Sequence, residues 1–262
     1  MDTDAVLRLL QEVAEAVINP RFRALATGQV IEKNPGDLVT VADREAEVLI
    51  TQALLESNPG AVVLGEEAFE ADRGILDRYA AAEHGFTVDP IDGTRNFVHG
   101  SPDHAVMVAE RRGRQVVRSW IWQPQHATAY VAELGSGAFR NGERLVRAPV
   151  PPGSAPRGVT SYRPWRGTRL GELPTLELTW VCCGVDYPKL VEGAADYILY
   201  RGRKPWDHAP GSLLLSEAGA VLGTFTGEPY DARGIPDSPL LAAADRATYD
   251  LVLPLVPSPR SG

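Results

Sequence analysis

Asp89-Pro90-Ile91-Asp92-Gly93-Thr94 follows the apolar run Phe86-Thr87-Val88 and breaks it. The pattern reads as a buried strand that turns sharply at its end. Pro90 fixes its own φ and has no N–H to offer a neighbouring strand, while Gly93 relieves the sterics of the bend. Two carboxylates three residues apart on such a bend can converge on one point, and the Ile91 carbonyl between them can turn the same way. An all-oxygen set of this kind suits magnesium, a hard cation that keeps some of its water and meets substrates through phosphate. Taken alone, the run is equally a turn with two exposed acids.

Three further segments each end in an acid at an element boundary. Val62-Val63-Leu64 reads as a short buried strand running into Gly65-Glu66-Glu67. Leu38-Val39-Thr40-Val41 reads as a strand edge, and Asp43 opens the helix after it, with Ala46, Leu49, Ile50, Ala53 and Leu54 on one face. Asn58-Pro59-Gly60 stops that helix. Asp207 follows Trp206 and precedes Ala209-Pro210-Gly211, a helix start. Each has a plain explanation by itself: Glu66 a surface acid, Asp43 and Asp207 helix N-caps. Folding alone does not demand all four together.

Elsewhere, Val6, Leu9, Leu10, Val13 and Val17 mark an opening amphipathic helix capped by Thr3 or Asp4, and Asn34-Pro35-Gly36 is a turn. Residues 105–110, 115–122 and 128–133 read as a meander, followed by a turn at Gly135-Ser136-Gly137-Ala138-Phe139. Pro149-Val150-Pro151-Pro152-Gly153 is the best boundary between two sub-lobes, 1–148 and 149–262, of a single domain. Beyond it, a strand over 176–181, a helix over 190–196, a helix over 211–218, and strands at 221–222 and 240–243 alternate. Antiparallel strands first and alternation later predict an α+β lobe packed on an α/β lobe.

The bulk numbers narrow the function classes. The 262 residues carry a formal charge of -8, and Arg201-Gly202-Arg203-Lys204 is too short to make the basic stripe that a nucleic-acid polymer needs. No apolar run approaches the ~20 residues of a membrane span, and the acidic start Met1-Asp2-Thr3-Asp4 is unlike a signal peptide. The two cysteines, Cys182 and Cys183, are adjacent, a spacing that makes no disulfide framework, so a cytoplasmic setting is expected. An acidic protein that handles phosphate needs local positive charge, which bound cations supply.

Asp89-Pro90-Ile91-Asp92-Gly93-Thr94 with Asn96-Phe97 resembles the first signature of the inositol monophosphatase family, and Trp206-Asp207-His208-Ala209-Pro210-Gly211 its second. Gly65-Glu66-Glu67 and Asp37-Leu38-Val39-Thr40-Val41-Ala42-Asp43 match two more family segments, in the family's order and spacing. The resemblance implies a layered αβαβα fold shared with fructose-1,6-bisphosphatase, a homodimer, lithium sensitivity, and two to three Mg2+ ions per site. Carried over position by position, it implies that Glu66, Asp89 and the Ile91 carbonyl hold the first magnesium. Asp89, Asp92 and Asp207 hold the second. Glu66 also binds the attacking water, Asp43 and Thr94 help to activate it, and the amides of Gly93 and Thr94 hold the phosphate. His208 is read as a packing residue, and Arg95 as a solvated side chain or a phosphate contact.

The chain departs from the inositol-specific pattern around the substrate. Where inositol-hydrolysing relatives place a glutamate seven residues before the second-signature aspartate, this chain has Tyr200. A small Gly-Thr-Ala-like stretch of the pocket is replaced by Cys182-Cys183-Gly184, read as pocket wall rather than redox switch. A family lysine is displaced, with Glu32 at its place and Lys33 beside it. Inositol 1-phosphate is the default substrate, with fructose bisphosphate, histidinol phosphate or a 3′-phosphoadenosine nucleotide as alternatives. Two rivals compete. A haloacid-dehalogenase phosphatase needs a nucleophilic aspartate two residues before the second aspartate, where this chain has Pro90. A non-catalytic metal-binding regulatory protein would be expected to have lost ligands.

Overall fold

A computed structural model describes residues 1–26, 28–34 and 37–257. Helix α1 (Thr3–Val13) is capped by Asp2, whose carboxylate accepts from the Ala5 N–H at 2.7 Å, rather than by Thr3 or Asp4. Strands β1 (Val30–Asn34) and β2 (Asp37–Thr40) form a small antiparallel ribbon; the Pro35-Gly36 part of the expected turn lies outside the described residues. Helix α2 (Val41–Ser57) begins one residue earlier than the strand reading implies, because Thr40 and Asp43 close a capping box. Asp43 is thus the third helical residue and not the cap. Leu49 lies on the exposed side of α2, at 41%, while Ala46, Ile50 and Leu54 are buried.

The main sheet follows. It runs from β3 (Val62–Gly65) through α3 (Glu66–Ala71) and α4 (Ile75–Ala81) to β4 (His84–Asp92) and α5 (Thr94–Val98). Then come β5 (Ala105–Arg112), β6 (Gln115–Gln123), β7 (Thr128–Glu133), β8 (Gly137–Arg140) and β9 (Glu143–Leu145). The seven strands lie in sequence order, parallel only between β3 and β4. Gly137, Ala138 and Phe139 belong to β8 rather than to the turn before it.

A second, five-stranded sheet is built from β10 (Gly158–Thr160), β11 (Glu177–Leu178), β12 (Tyr197–Tyr200), β13 (Val221–Thr224) and β14 (Leu240–Ala243), in the order β11-β10-β12-β14-β13. The strand expected over 176–181 shrinks to β11. The helix expected over 190–196 lies earlier, as α6 (Cys183–Val191), with Pro188 inside it. A proline there removes the N–H that the Gly184 carbonyl needs. The Gln123 side chain from β6 supplies the donor instead, at 2.7 Å. Helix α7 (Pro205–Ala218) starts six residues before Gly211, with Pro205 at its first position, where the missing N–H costs nothing. Asp207 sits in its first turn and is not the cap. Helix α8 (Arg246–Val252) closes the chain.

The period-two alternation of the central strands sorts their side chains into layers. On β5, Val106 and Val108 pack with α1 and α2, while Ala105 and Met107 pack with α6 and α7. On β12, Ile198 and Tyr200 face α6 and α7, while Tyr197 and Leu199 face α8. The order is helices, sheet, helices, sheet, helix: a layered αβαβα fold of the expected kind. No helix among the described residues is long and apolar enough to cross a membrane.

Candidate active site

Register explains how acids distant in sequence meet. The parallel pairing of β3 and β4 sets Gly65 beside Val88, so the next residues, Glu66 just past β3 and Asp89 within β4, stand side by side. Opposite β5, Asp89 pairs with Met107 and Asp92 with Ala105: three steps on β4 answer two on β5. That single-residue bulge lies between Asp89 and Asp92, a stretch that includes Pro90, which has no N–H for the ladder. Met107 and Ala105 both face α6 and α7, so Asp89 and Asp92 face them too, and Ile91 is turned into the opposite core. An unbulged strand would have sent the two acids to opposite faces.

The neighbouring helices complete the cluster. Burial first, then the charges of Glu66, Asp92, Asp207 and Asp43, push the Asp89 carboxyl well above its ordinary range. Asp89 Oδ1 is buried without a hydrogen-bond partner. Asp92 is tied to the start of α6: its Oδ2 accepts from the Gly184 N–H at 2.5 Å and the Cys182 thiol at 2.9 Å. Burial raises the Asp92 carboxyl, and those bonds only partly offset it. Asp43 Oδ1 accepts from the Thr94 hydroxyl at 3.1 Å, and its Oδ2 accepts from the Thr40 hydroxyl and amide at 2.5 and 2.8 Å. Burial pushes Asp43 up to about 6 despite those bonds, with Glu67 adding to the rise. Thr94 Oγ1 also lies 3.0 Å from the Ile91 carbonyl, so its one proton serves either acceptor.

Gly93 turns the chain from β4 into α5 with φ of +80°, and a side chain there would meet Cys182 Cβ at 3.0 Å. Asn96 ties the turn down by donating to the Asp103 and Trp180 carbonyls at 2.8 and 3.0 Å. At the start of α6, Cys182 is buried and Cys183 half-buried; burial and then the Asp92 charge push both thiols well above their ordinary value, so they stay protonated. Cys183, Asp207 and His208 offer ligand atoms within 4.8 Å of one another. Both ring nitrogens of His208 are nevertheless engaged, Nδ1 with the Tyr187 hydroxyl at 2.7 Å and Nε2 with the Gly202 carbonyl at 2.9 Å. Burial lowers His208 to about 4, so it is a neutral packing residue.

Tyr200 is 1% exposed, its ring against those of Tyr187 and His208. It belongs to the same buried cluster as Cys182 and is not on an open surface. Arg95 is exposed, Glu32 is exposed on β1, and the side chain of Lys33 lies outside the described residues. Two buried acids escape a reading of the motifs. Asp186 accepts from the Trp180 amide at 2.9 Å, and Glu47 accepts from the amides of Glu67 and Ala68. Glu47 lies inside a helix and looks like an ordinary helical acid in sequence, and Asp186 falls between the strand expected over 176–181 and the helix expected over 190–196.

A model of the inositol monophosphatase family matches residues 2–258. The chain belongs to this family. It is 34% identical over 220 residues to the inositol-1-monophosphatase of Rhizobium meliloti, covering 79% of this chain and 80% of that one. The fructose-1,6-bisphosphatase/inositol-1-monophosphatase of Aquifex aeolicus is 28% identical over 257 residues, 89% of this chain and 92% of its own. Among solved structures, an IMPase/NADP phosphatase complexed with NADP and Ca2+ superposes with a TM-score of 0.81 at 21% identity, covering 98% of this chain and 95% of that chain. That likeness carries the fold. The inositol monophosphatase family consists of metal-dependent phosphatases, and the chain is a phosphoric monoester hydrolase acting on small phosphorylated compounds.

Proposed function

We propose that this chain hydrolyses the phosphate ester of a small polyol, inositol 1-phosphate first among them, with magnesium held by Glu66, Asp89, the Ile91 carbonyl, Asp92 and Asp207. The observation that carries the reading is Asp89: a buried carboxylate with one orphaned oxygen, ringed by the charges of Glu66, Asp92, Asp207 and Asp43. Clustered buried acids oppose one another unless protonated or neutralised by cations, and an all-oxygen donor set fits magnesium. When bound, magnesium would neutralise the acids and polarise phosphate and water.

The rest falls to the protein. Two acids of the shell are oriented by its frame, Asp92 by the start of α6 and Glu66 by the register of β3 on β4. With the Ile91 carbonyl taken up as a ligand, the Thr94 hydroxyl is left to donate to Asp43 Oδ1. Its oxygen would accept a proton from the attacking water, while Asp43 would take the threonine proton. The amides of Gly93 and Thr94 receive the phosphate. Cys182, Cys183 and Gly184 line the pocket, with Tyr200 in the same buried cluster as Cys182 and acting through Tyr187.

The nearer alternatives change only the leaving group. The Aquifex relative is named for fructose 1,6-bisphosphate as well as inositol 1-phosphate, and the structural neighbour holds NADP. Tyr200 in place of a pocket glutamate favours a substrate that asks for fewer hydroxyl contacts. The deciding experiment is phosphate release with magnesium from inositol phosphates, fructose 1,6-bisphosphate, histidinol phosphate and 3′-phosphoadenosine nucleotides. Direct transfer of oxygen from labelled water to phosphate is expected, with millimolar lithium inhibiting. A phosphoenzyme trapped on Asp89, or no release from any ester, would overturn the reading.

A further inference from the structure

We infer that Glu47 is a positioning residue for the metal site: from inside α2 it holds the corner at which Glu66 leaves the sheet. This rests on the assignment of Glu66 as a ligand. Helix α3 starts directly after β3, and its N-cap, Gly65, has no side chain with which to satisfy the first amides. Glu47 does so from another element. Its Oε2 accepts from the Glu67 N–H and its Oε1 from the Ala68 N–H, both at 2.8 Å, and the residue is 5% exposed.

The fit leaves no slack. A Cβ on Gly65 would lie 2.3 Å from the Glu47 carboxyl carbon and 2.4 and 2.6 Å from its oxygens. Gly65 is therefore glycine because the carboxylate lies against its backbone; its φ of −91° would suit any residue. Glu47 also lies one helical turn beyond Asp43, on the same side of α2. One helix face thus presents Asp43 to Thr94 and fixes the backbone that presents Glu66 to Asp89. The corner between β3 and α3 takes its direction from α2 and not from its own short helix.

Glutamine keeps the size of Glu47 but can accept only one of the two N–H groups; its NH2 then faces the other, donor against donor. Glu47→Gln is expected to weaken magnesium binding, read by calorimetry on the folded protein, by about 10–100-fold, the usual effect of losing an outer-shell partner. The magnesium concentration for half-maximal phosphate release should rise in parallel, with kcat at saturating metal changing much less. Gly65→Ala, which leaves Glu47 intact and pushes its carboxylate away, should reproduce the loss and decides the matter if Glu47→Gln does not fold. Leu54→Ala, a core truncation in the same helix, is the control: it should lower the melting temperature and leave magnesium affinity in place. Unchanged affinity in both site variants, or an equal loss in the Leu54 control, would overturn the inference. Wild-type protein without magnesium-dependent turnover would instead sink the functional reading itself.

Discussion

Asp89 and Asp92 share one face of β4, although they are three positions apart, because a bulge absorbs a residue between them. Their convergence is therefore a property of the strand ladder, not of a flexible turn. Asp92→Asn keeps the size of the side chain and an acceptor for the Gly184 amide, but removes the charge. Phosphate release should fall at least about 100-fold, with a melting temperature close to that of the parent. Unimpaired magnesium-dependent release would remove Asp92 from the site.

Gly93 offers a second handle on the same bend. Alanine at φ of +80° is strained by about 1–2 kcal/mol, and its Cβ would press on Cys182 Cβ at 3.0 Å and the Asp103 carbonyl at 3.1 Å. Gly93→Ala should lower the melting temperature by about 2–8 °C. It should cost activity beyond what the loss of folded protein explains, because Cys182 is bonded to Asp92. A thermal scan with kinetics on the folded fraction checks both.

Gln123 guards the proline inside α6. Replacing it by leucine preserves bulk and leaves the Gly184 carbonyl without its donor in a buried place, a cost of about 1–3 kcal/mol. Denaturant unfolding should show that loss. Because the Gly184 amide holds Asp92, kcat/KM should fall as well. Stability equal to the parent would mean the carbonyl finds another donor.

Asp196 gives a pH signature far from the cluster. Burial opposes its charge, but hydrogen bonds from the Arg157 side chain and amide, with the charges of Arg157 and Arg147, outweigh burial and hold the carboxyl below its ordinary value. Its Oδ2 accepts from the Arg157 amide and its Oδ1 from Arg147, both at 2.8 Å. A lowered folded value means stability that is complete above the unfolded value, about 3.9, and lost as pH falls through the folded one. Asp196→Asn should therefore cost about 1–3 kcal/mol near neutrality. The gap to the parent should close only in the acid range below about pH 4. A gap that stays constant to the lowest pH at which the parent folds would refute the linkage.

The segments bearing the acids were legible because each joins an apolar run to a polar stop, and that junction is visible in one dimension. Glu66 follows β3, Asp89 and Asp92 lie in the last part of β4, and Asp43 and Asp207 sit in the first turns of helices. The helix boundaries were less legible. The spans 190–196 and 211–218 miss Pro188 in α6 and Pro210 in α7. Both sit inside helices, and for Pro188 the remedy is a glutamine 65 residues earlier, which no local pattern announces. Leu49 and the cap at Asp2 were lost to the choice of helix phase. Glu47 and Asp186 were hidden because each accepts from backbone amides, which every sequence has everywhere.

The acids at 43, 66, 89, 92 and 207 reach one point only when α2, both strands of the parallel pair and α7 are all in place. A ligand that holds these acids together would therefore bind only a chain in which those helices and strands are already packed on one another. Its binding free energy is added to the stability of layers it never touches.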